Sequence, residues 1–350
     1  MIERRLTRVI DVAGVKIGGN NPISIQSMTK TNTCDVASTC EQIRQLEENG
    51  CEIVRLAVPD IESAVALKEI RKNTRLPLVA DIHFDYRLAL ESINNGIDKL
   101  RINPGNIGGP ERLKKVVAAA KAHGIPIRVG VNSGSLQKDI YDKNKGVTAE
   151  GLVESALRNI KALEELDFFN ICVSVKSSNV PMSVDAYSLL SQKVDYPLHI
   201  GMTEAGTRLP GTIKSSIGIG GLLLQGVGDT VRVSLSSDPV DEVICAKEIL
   251  KALRLRKFGI EITSCPTCGR TRIDLLSIVE EVEKHCAQLD KNIHIAVMGC
   301  AVNGPGEARE ADIGIAGGDG YGVIFKKGKI IERVQEDKLV NALINEINRM

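Results

Sequence analysis

Short runs rich in Val and Ile recur along the chain, at Pro22–Met28, Glu52–Ala57, Pro77–His83, Lys99–Asn103, Pro126–Asn132, Asn170–Lys176, Pro197–Glu204 and Thr230–Ser234. The segments between them, such as Glu111–His123, Ala149–Leu166 and Pro239–Arg256, carry apolar residues at helical spacing. Asp60, Thr148 and Asp238 stand where helix N-caps are expected. Strand–helix alternation of this kind, repeated for eight strands, predicts an α/β fold with a parallel (β/α)8 TIM barrel. Thr7–Gly19 predicts a small hairpin closing the barrel bottom. A doubly wound open sheet is the rival, since counting strands does not prove closure.

After Arg256 the rhythm breaks. Ile260–Thr263 leads into Cys265-Pro-Thr-Cys268-Gly-Arg270, followed by a helical pattern at Ile273–Gln288 and an apolar strand at Ile293–Met298. Ile313–Ala316 and Gly322–Phe325 predict two further strands joined by a turn at Gly317–Gly320, and Asp337–Asn348 a final helix. The glycine-rich turn precedes a strand, not a helix, so a hairpin suits it better than a phosphate loop. The expected domains are residues 1–256, a barrel, and 257–350, a smaller α+β unit.

The polar positions inside the strand-like runs follow a period of two. Arg101 and Asn103 alternate with Leu100 and Ile102, and Arg128 and Asn132 with Ile127, Val129 and Val131. Ser174 and Lys176 alternate with Val173 and Val175, and Arg232 and Ser234 with Val231 and Val233; Arg55, Asp81, His83 and Glu204 behave alike. Period two sends the apolar set outward to the helices and the polar set into the barrel, toward the C-terminal mouth where barrel active sites lie. One or two of these charges suit structural ion pairs. Five cations, Arg55, Arg101, Arg128, Lys176 and Arg232, against Asp81 and Glu204 leave a positive excess that calls for an anion. Arginine forks match phosphate oxygens, and several cations favour a diphosphate.

Composition narrows the class further. The 350 residues are 43% hydrophobic and 25% charged, as in ordinary globular proteins. Lys and Arg (45) balance Asp and Glu (44), so the broad basic field of a nucleic-acid binder is not expected. The charged start and the lack of a long apolar run point to no membrane segment and a cytoplasmic location. In that setting the nine cysteines read as thiols and ligands rather than disulfides.

Cys265 and Cys268 share one tight turn, and Cys300 lies in a second, Met298-Gly-Cys-Ala-Val-Asn-Gly-Pro-Gly-Glu307. Three cysteines in two turns suit zinc or an iron–sulfur cluster, with Cys286, His294 or Glu307 open as a fourth ligand. A zinc ribbon would bring a second Cys-x-x-Cys, and none exists. The alternative function on this reading is a hydrolase or lyase barrel acting on a phosphorylated substrate, with a structural zinc domain.

The two cysteine loops resemble those of the 4-hydroxy-3-methylbut-2-enyl diphosphate synthases of the non-mevalonate (methylerythritol phosphate) isoprenoid pathway. The barrel stretches Ile25–Thr29, Val54–Ala57, Asp81–Phe84, Arg101–Gly105, Arg128–Asn132 and Gly201–Gly206 are similar too, so the resemblance spans the chain. It implies an oxidoreductase with a 4Fe-4S cluster held by Cys265, Cys268, Cys300 and Glu307. The implied substrate is 2-C-methyl-D-erythritol 2,4-cyclodiphosphate, reduced by two electrons with ring opening and loss of water. A carboxylate is a harder ligand than thiolate for cluster iron, so Glu307 would mark one iron as different.

The same resemblance casts Arg101, Arg128, Lys176 and Arg232 as anchors of the diphosphate. Asn103, Asn132 and Ser234 would add hydrogen bonds, Arg55 and His83 would line the pocket, and Glu204 would give a proton to the departing oxygen. The implied partners are a head-to-tail second copy, whose cluster domain caps the barrel, and reduced flavodoxin or ferredoxin as electron donor.

Overall fold

The computed structural model describes residues 2–286, 289, 291–300 and 308–350. The chain divides into two compact units, Met1–Arg256 and Lys257–Met350.

The first unit is a parallel barrel. Its strands are β3 (Ser24–Met28), β4 (Ile53–Ala57), β5 (Leu78–Asp81), β6 (Lys99–Ile102), β7 (Ile127–Asn132), β8 (Ile171–Lys176), β9 (His199–Ile200) and β10 (Thr230–Val231). They pair in the order β8-β7-β6-β5-β4-β3-β10-β9, and a parallel bridge between Val173 and Leu198 joins the two ends into a ring. That closure decides against the open sheet. Fully buried Leu56, Ile102, Val129 and Val173 alternate with the inward residues, as a strand packed on both faces requires. The antiparallel hairpin of β1 (Ile10–Val12) and β2 (Val15–Ile17) packs Ile10, Val12 and Ile17 against Ile53, Val79 and Cys172, which makes an apolar plug.

The expected caps are present. The Asp60 side chain accepts from Ser63 N at the start of α2 (Ile61–Lys72), Thr148 from Gly151 N before α6 (Ala149–Glu164), and Asp238 from Val240 N before α9 (Pro239–Ala252). The last two barrel strands are shorter than their hydrophobic runs suggest. β9 ends at Ile200, and at the next residue, Gly201, a Cβ would collide with the Arg232 carbonyl. Glu204 therefore sits in a loop beyond β9 and not at a strand end, with φ of +51°.

The second unit is a five-stranded sheet in sequence order: β11 (Glu261–Ser264), β12 (His294–Met298), β13 (Ile313–Gly317), β14 (Tyr321–Lys326) and β15 (Lys329–Gln335). The first three are parallel and the last two antiparallel. The helices α10 (Leu275–Cys286) and α11 (Leu339–Asn348) bury Ile278, Val282, Leu343 and Ile347 against Ile295, Ile313 and Ile324. Gly317–Gly320 forms the expected turn, with Gly318 N donating to Tyr321 O at 2.7 Å. β15 was not expected. It is largely exposed, so its sequence lacks the apolar face that marks a buried strand.

Candidate active site

The inward face of the barrel is a cluster of buried charge. Asp81 ends β5 and is buried. Its Oδ1 lies 3.0 Å from Arg101 Nη1, and its Oδ2 lies 3.9 Å from Arg55 Nε and 3.4 Å from His83 Nε2. Arg101 also meets the His83 Nε2 at 3.0 Å. Its guanidinium fills the space beside Gly130, where any Cβ would collide with it. Arg128, on β7, donates from Nη1 to Ser174 Oγ at 3.1 Å, while its Nε and Nη2 are buried without a partner among the described residues. Lys176 closes β8 and is 5% exposed; a Cβ at Gly201 would fall 2.9 Å from its Nζ.

Charge in this lumen is under strain. Burial, with repulsion from Arg55 and Arg101, brings the Arg128 guanidinium down to about 9. Burial brings Arg55 down to about 10, with Asp81 opposing and Arg232 and Arg101 adding to the fall. Lys176 is pushed well below the usual lysine value by burial and then by the surrounding arginines. Burial alone would raise the Asp81 carboxyl, but Arg55, the hydrogen bond to His83 and Arg101 hold it well below the usual carboxylate range. A site with this balance favours an anion of more than one charge.

The remaining barrel candidates lie at or near strand ends. Asn103 follows β6 and is buried; its Oδ1 accepts from Gly105 N at 3.2 Å, and its Nδ2 has no partner among the described residues. Asn132 is half-buried at the end of β7. Arg232 donates from Nη1 to Ser234 Oγ at 2.8 Å. His83 and Glu204 are exposed.

One expectation needs correction. The second acid paired with the lumen cations is not Glu204 but Glu242, in the first turn of α9. Its carboxylate lies 3.3 Å from Arg232 Nη2 and accepts from Ser27 Oγ (3.1 Å) and Leu235 N (3.0 Å). Glu204 fails to join the cluster because its strand has already ended. Glu242 was legible in principle, since it falls on the helical stripe of buried Val243, Ala246, Ile249 and Leu250. The sequence reading also passed over Lys99, which shares the parity of Arg101, and His199, which opens β9; both are fully buried.

In the second unit, Cys265 directly follows β11 and Cys300 lies just past β12, its parallel neighbour. The two loops are stitched together: Cys265 N donates to Val297 O (3.3 Å), Arg272 N to Gly299 O (3.0 Å) and Gly299 N to Cys265 Sγ (3.2 Å). Cys268 is exposed, and a hydrogen bond from the Arg270 backbone N–H draws its thiol below the ordinary value. Amide N–H groups on cysteine sulfur are among the contacts through which a protein tunes a thiolate-held metal group. Cys286 instead ends α10 and is buried in the apolar core, and His294 Nε2 meets Thr263 Oγ1 at 2.8 Å. Glu307, the fourth ligand implied above, lies outside the described residues.

Comparison with known proteins agrees with this two-part design. Residues 7–247 match the GcpE TIM-barrel domain, and residues 261–349 match the GcpE protein C-terminal domain. The chain is 60% identical over 347 residues to 4-hydroxy-3-methylbut-2-en-1-yl diphosphate synthase (flavodoxin) of Caldanaerobacter subterraneus subsp. tengcongensis, covering 99% of this chain and 98% of that one. It is 59% identical to the protein of the same name from Clostridium acetobutylicum, over the full length of both. Among solved structures, dihydropteroate synthase from Stenotrophomonas maltophilia is similar with a TM-score of 0.52 at 16% identity, covering 71% of this chain and 98% of that one. That likeness concerns the fold alone. With both domains matched in order and near-complete relatives at this identity, the chain belongs to the GcpE family.

Proposed function

We propose that this protein reduces 2-C-methyl-D-erythritol 2,4-cyclodiphosphate to 4-hydroxy-3-methylbut-2-enyl diphosphate, an isoprenoid precursor. The reaction takes up two electrons and one proton, opens the ring and releases water. The observation that carries this reading is the barrel lumen, where Arg55, Arg101, Arg128, Arg232 and Lys176 outnumber Asp81 and Glu242. The names of the near-full-length relatives, which give a 4-hydroxy-3-methylbut-2-en-1-yl diphosphate product and flavodoxin, support the diphosphate and flavodoxin as electron donor. They lend no support to a hydrolase or lyase with a structural zinc.

The chain's own residues divide the work. Arg101, Arg128, Lys176 and Arg232 hold the diphosphate oxygens, Arg128 through its Nε and Nη2, which have no partner among the described residues. Asn103 offers its unpartnered Nδ2, and Asn132 and Ser234 add further hydrogen bonds. Arg55 and His83 line the same pocket, and Asp81 fixes Arg101 in place. Glu204, exposed in its loop, gives a proton to the oxygen that leaves as water. A non-glycine residue held at positive φ at the mouth suits a functional position.

Cys265, Cys268 and Cys300, with Glu307, would hold a 4Fe-4S cluster, which supplies the electrons. Ferredoxin is the alternative donor to flavodoxin. The reading also includes a head-to-tail homodimer, in which the second unit of one copy covers the barrel mouth of the other, and a cytoplasmic location. Among the described residues no helix is long and apolar enough to cross a membrane.

Anaerobic reconstitution with iron and sulfide tests the cofactor. A brown protein with a thiolate-to-iron absorption band that bleaches on reduction is the expected result. A colourless protein holding stoichiometric zinc would contradict it.

A further inference from the structure

Below the mouth cations the lumen has a floor that the reaction described above does not use. Lys99 opens β6 and His199 opens β9; both are fully buried. Among the described residues Lys99 Nζ and both His199 ring nitrogens lack a hydrogen-bond partner. A buried amine and imidazole left in this state are costly when charged, and folds seldom keep them without a use.

Among the described residues neither group is paired with a carboxylate. Lys99 pairs with Val79 in the ladder and is followed two residues later by Arg101. Arg128 and the Cys172 thiol act on Lys99, and Arg128, Lys176, Lys99 and Arg55 act most strongly on His199. Burial itself raises that thiol, so Cys172 does not supply a negative charge. Asp229 lies in the same region, but its carboxylate already accepts from Leu198 N (2.8 Å), Thr7 Oγ1 (3.1 Å) and Arg4 Nη2 (3.2 Å). Tyr187 donates its hydroxyl to the His199 carbonyl, not to the ring. Beneath, the β1–β2 hairpin seals the lumen with Ile10, Val12 and Ile17.

Near neutral pH the arginines keep their charge, so repulsion in the free lumen is relieved by lysine and histidine giving up protons. Burial first, then the neighbouring cations, drives His199 well below its ordinary value and lowers Lys99. An anion at the mouth removes that repulsion.

We propose that Lys99 and His199 form a proton store beneath the anion site, which takes up a proton from solvent when a diphosphate enters and returns it when the diphosphate leaves. The pair acts through the field felt at Arg128 and Lys176, without touching the ligand. Ring opening adds one negative charge to the diphosphate, so the stored proton also offsets the charge of the product. This inference rests on the substrate reading above.

The test is calorimetric titration of the cluster-loaded, oxidised protein with 2-C-methyl-D-erythritol 2,4-cyclodiphosphate, without reductant, in buffers of different ionisation enthalpy. Each phosphorus of that ligand carries a single strongly acidic group, so near neutral pH the proton balance belongs to the protein. We expect net uptake on the order of one proton per site, with affinity falling up to about tenfold per pH unit between pH 7 and 9. Lys99→Met and His199→Gln should each cut the uptake and flatten the pH profile, with the melting temperature kept or raised. Uptake that is absent in the wild type, or unchanged in both variants, overturns the inference while leaving the substrate reading intact. No binding at all overturns the substrate reading and the proton store with it.

Discussion

Asp81 Oδ1 lies 3.0 Å from Arg101 Nη1 across the pairing of β5 with β6, and the same carboxylate reaches Arg55 from the other side. Removing that charge leaves two buried guanidiniums without their shared partner. Asp81→Asn should therefore destabilise the barrel by roughly 3 kcal/mol, as breaking one half of a buried pair does. The pH dependence follows from the depressed carboxyl. Its stabilisation is fully present above the unfolded value of about 4 and is lost as pH falls toward the lower folded value. Denaturant unfolding across pH 3–7 should show the wild type losing stability on the acid side and Asp81→Asn losing less; equal slopes would contradict this.

Arg128 presents the opposite case, since two of its donors have no partner and its neighbours repel it. Arg128→Met should leave the melting temperature and iron content nearly unchanged and weaken the cyclic diphosphate on the order of a hundredfold, as loss of a charge-assisted contact implies. Lys176→Ala should behave alike. Unfolding of these variants, with affinity intact in the folded fraction, would restore a purely structural role.

The cysteines separate by location. Cys265→Ser, Cys268→Ser and Cys300→Ser should each abolish cluster assembly, because their positions sit on two loops tied together at Gly299. Cys286 packs in the apolar core with Val282 and Leu343, so Cys286→Ala should keep iron near wild type. An iron loss in Cys286→Ala matching that of Cys300→Ser would overturn this ligand set.

Glu204→Gln keeps size and hydrogen bonding but removes the transferable proton. Turnover should fall by a factor on the order of 10² to 10⁴, the usual effect of losing a positioned general acid, with substrate affinity and cluster content preserved. The assay uses a chemical reductant, which bypasses the protein donor. Near-normal turnover would reduce Glu204 to an electrostatic bystander.

Much of this architecture was legible from periodicity. The inward positions of Arg101, Arg128 and Lys176 follow from parity alone, because a strand buried on both faces cannot place charge outward under a helix. Closure was not legible, since it needs the first barrel strand to pair with the last, Ser24 with Thr230 and Ile25 with Val231, as well as the bridge of Val173 to Leu198. Glu242 escaped because its chemistry arrives from a helix, where a charged residue in the first turn looks like ordinary dipole compensation. Glu204 was placed too close to the lumen because its hydrophobic run continues past the last ladder bond. Lys99 and His199 carried the right parity or position but no pattern that separates a buried functional group from a half-exposed one.

The most direct test joins both units in one reaction. Cluster-loaded protein with 2-C-methyl-D-erythritol 2,4-cyclodiphosphate and a reduced flavodoxin, under anaerobic conditions, should form 4-hydroxy-3-methylbut-2-enyl diphosphate in step with flavodoxin oxidation, at two electrons per product. A protein that carries the reduced cluster and binds the cyclic diphosphate yet forms no product, or that cleaves it without consuming electrons, would contradict the account.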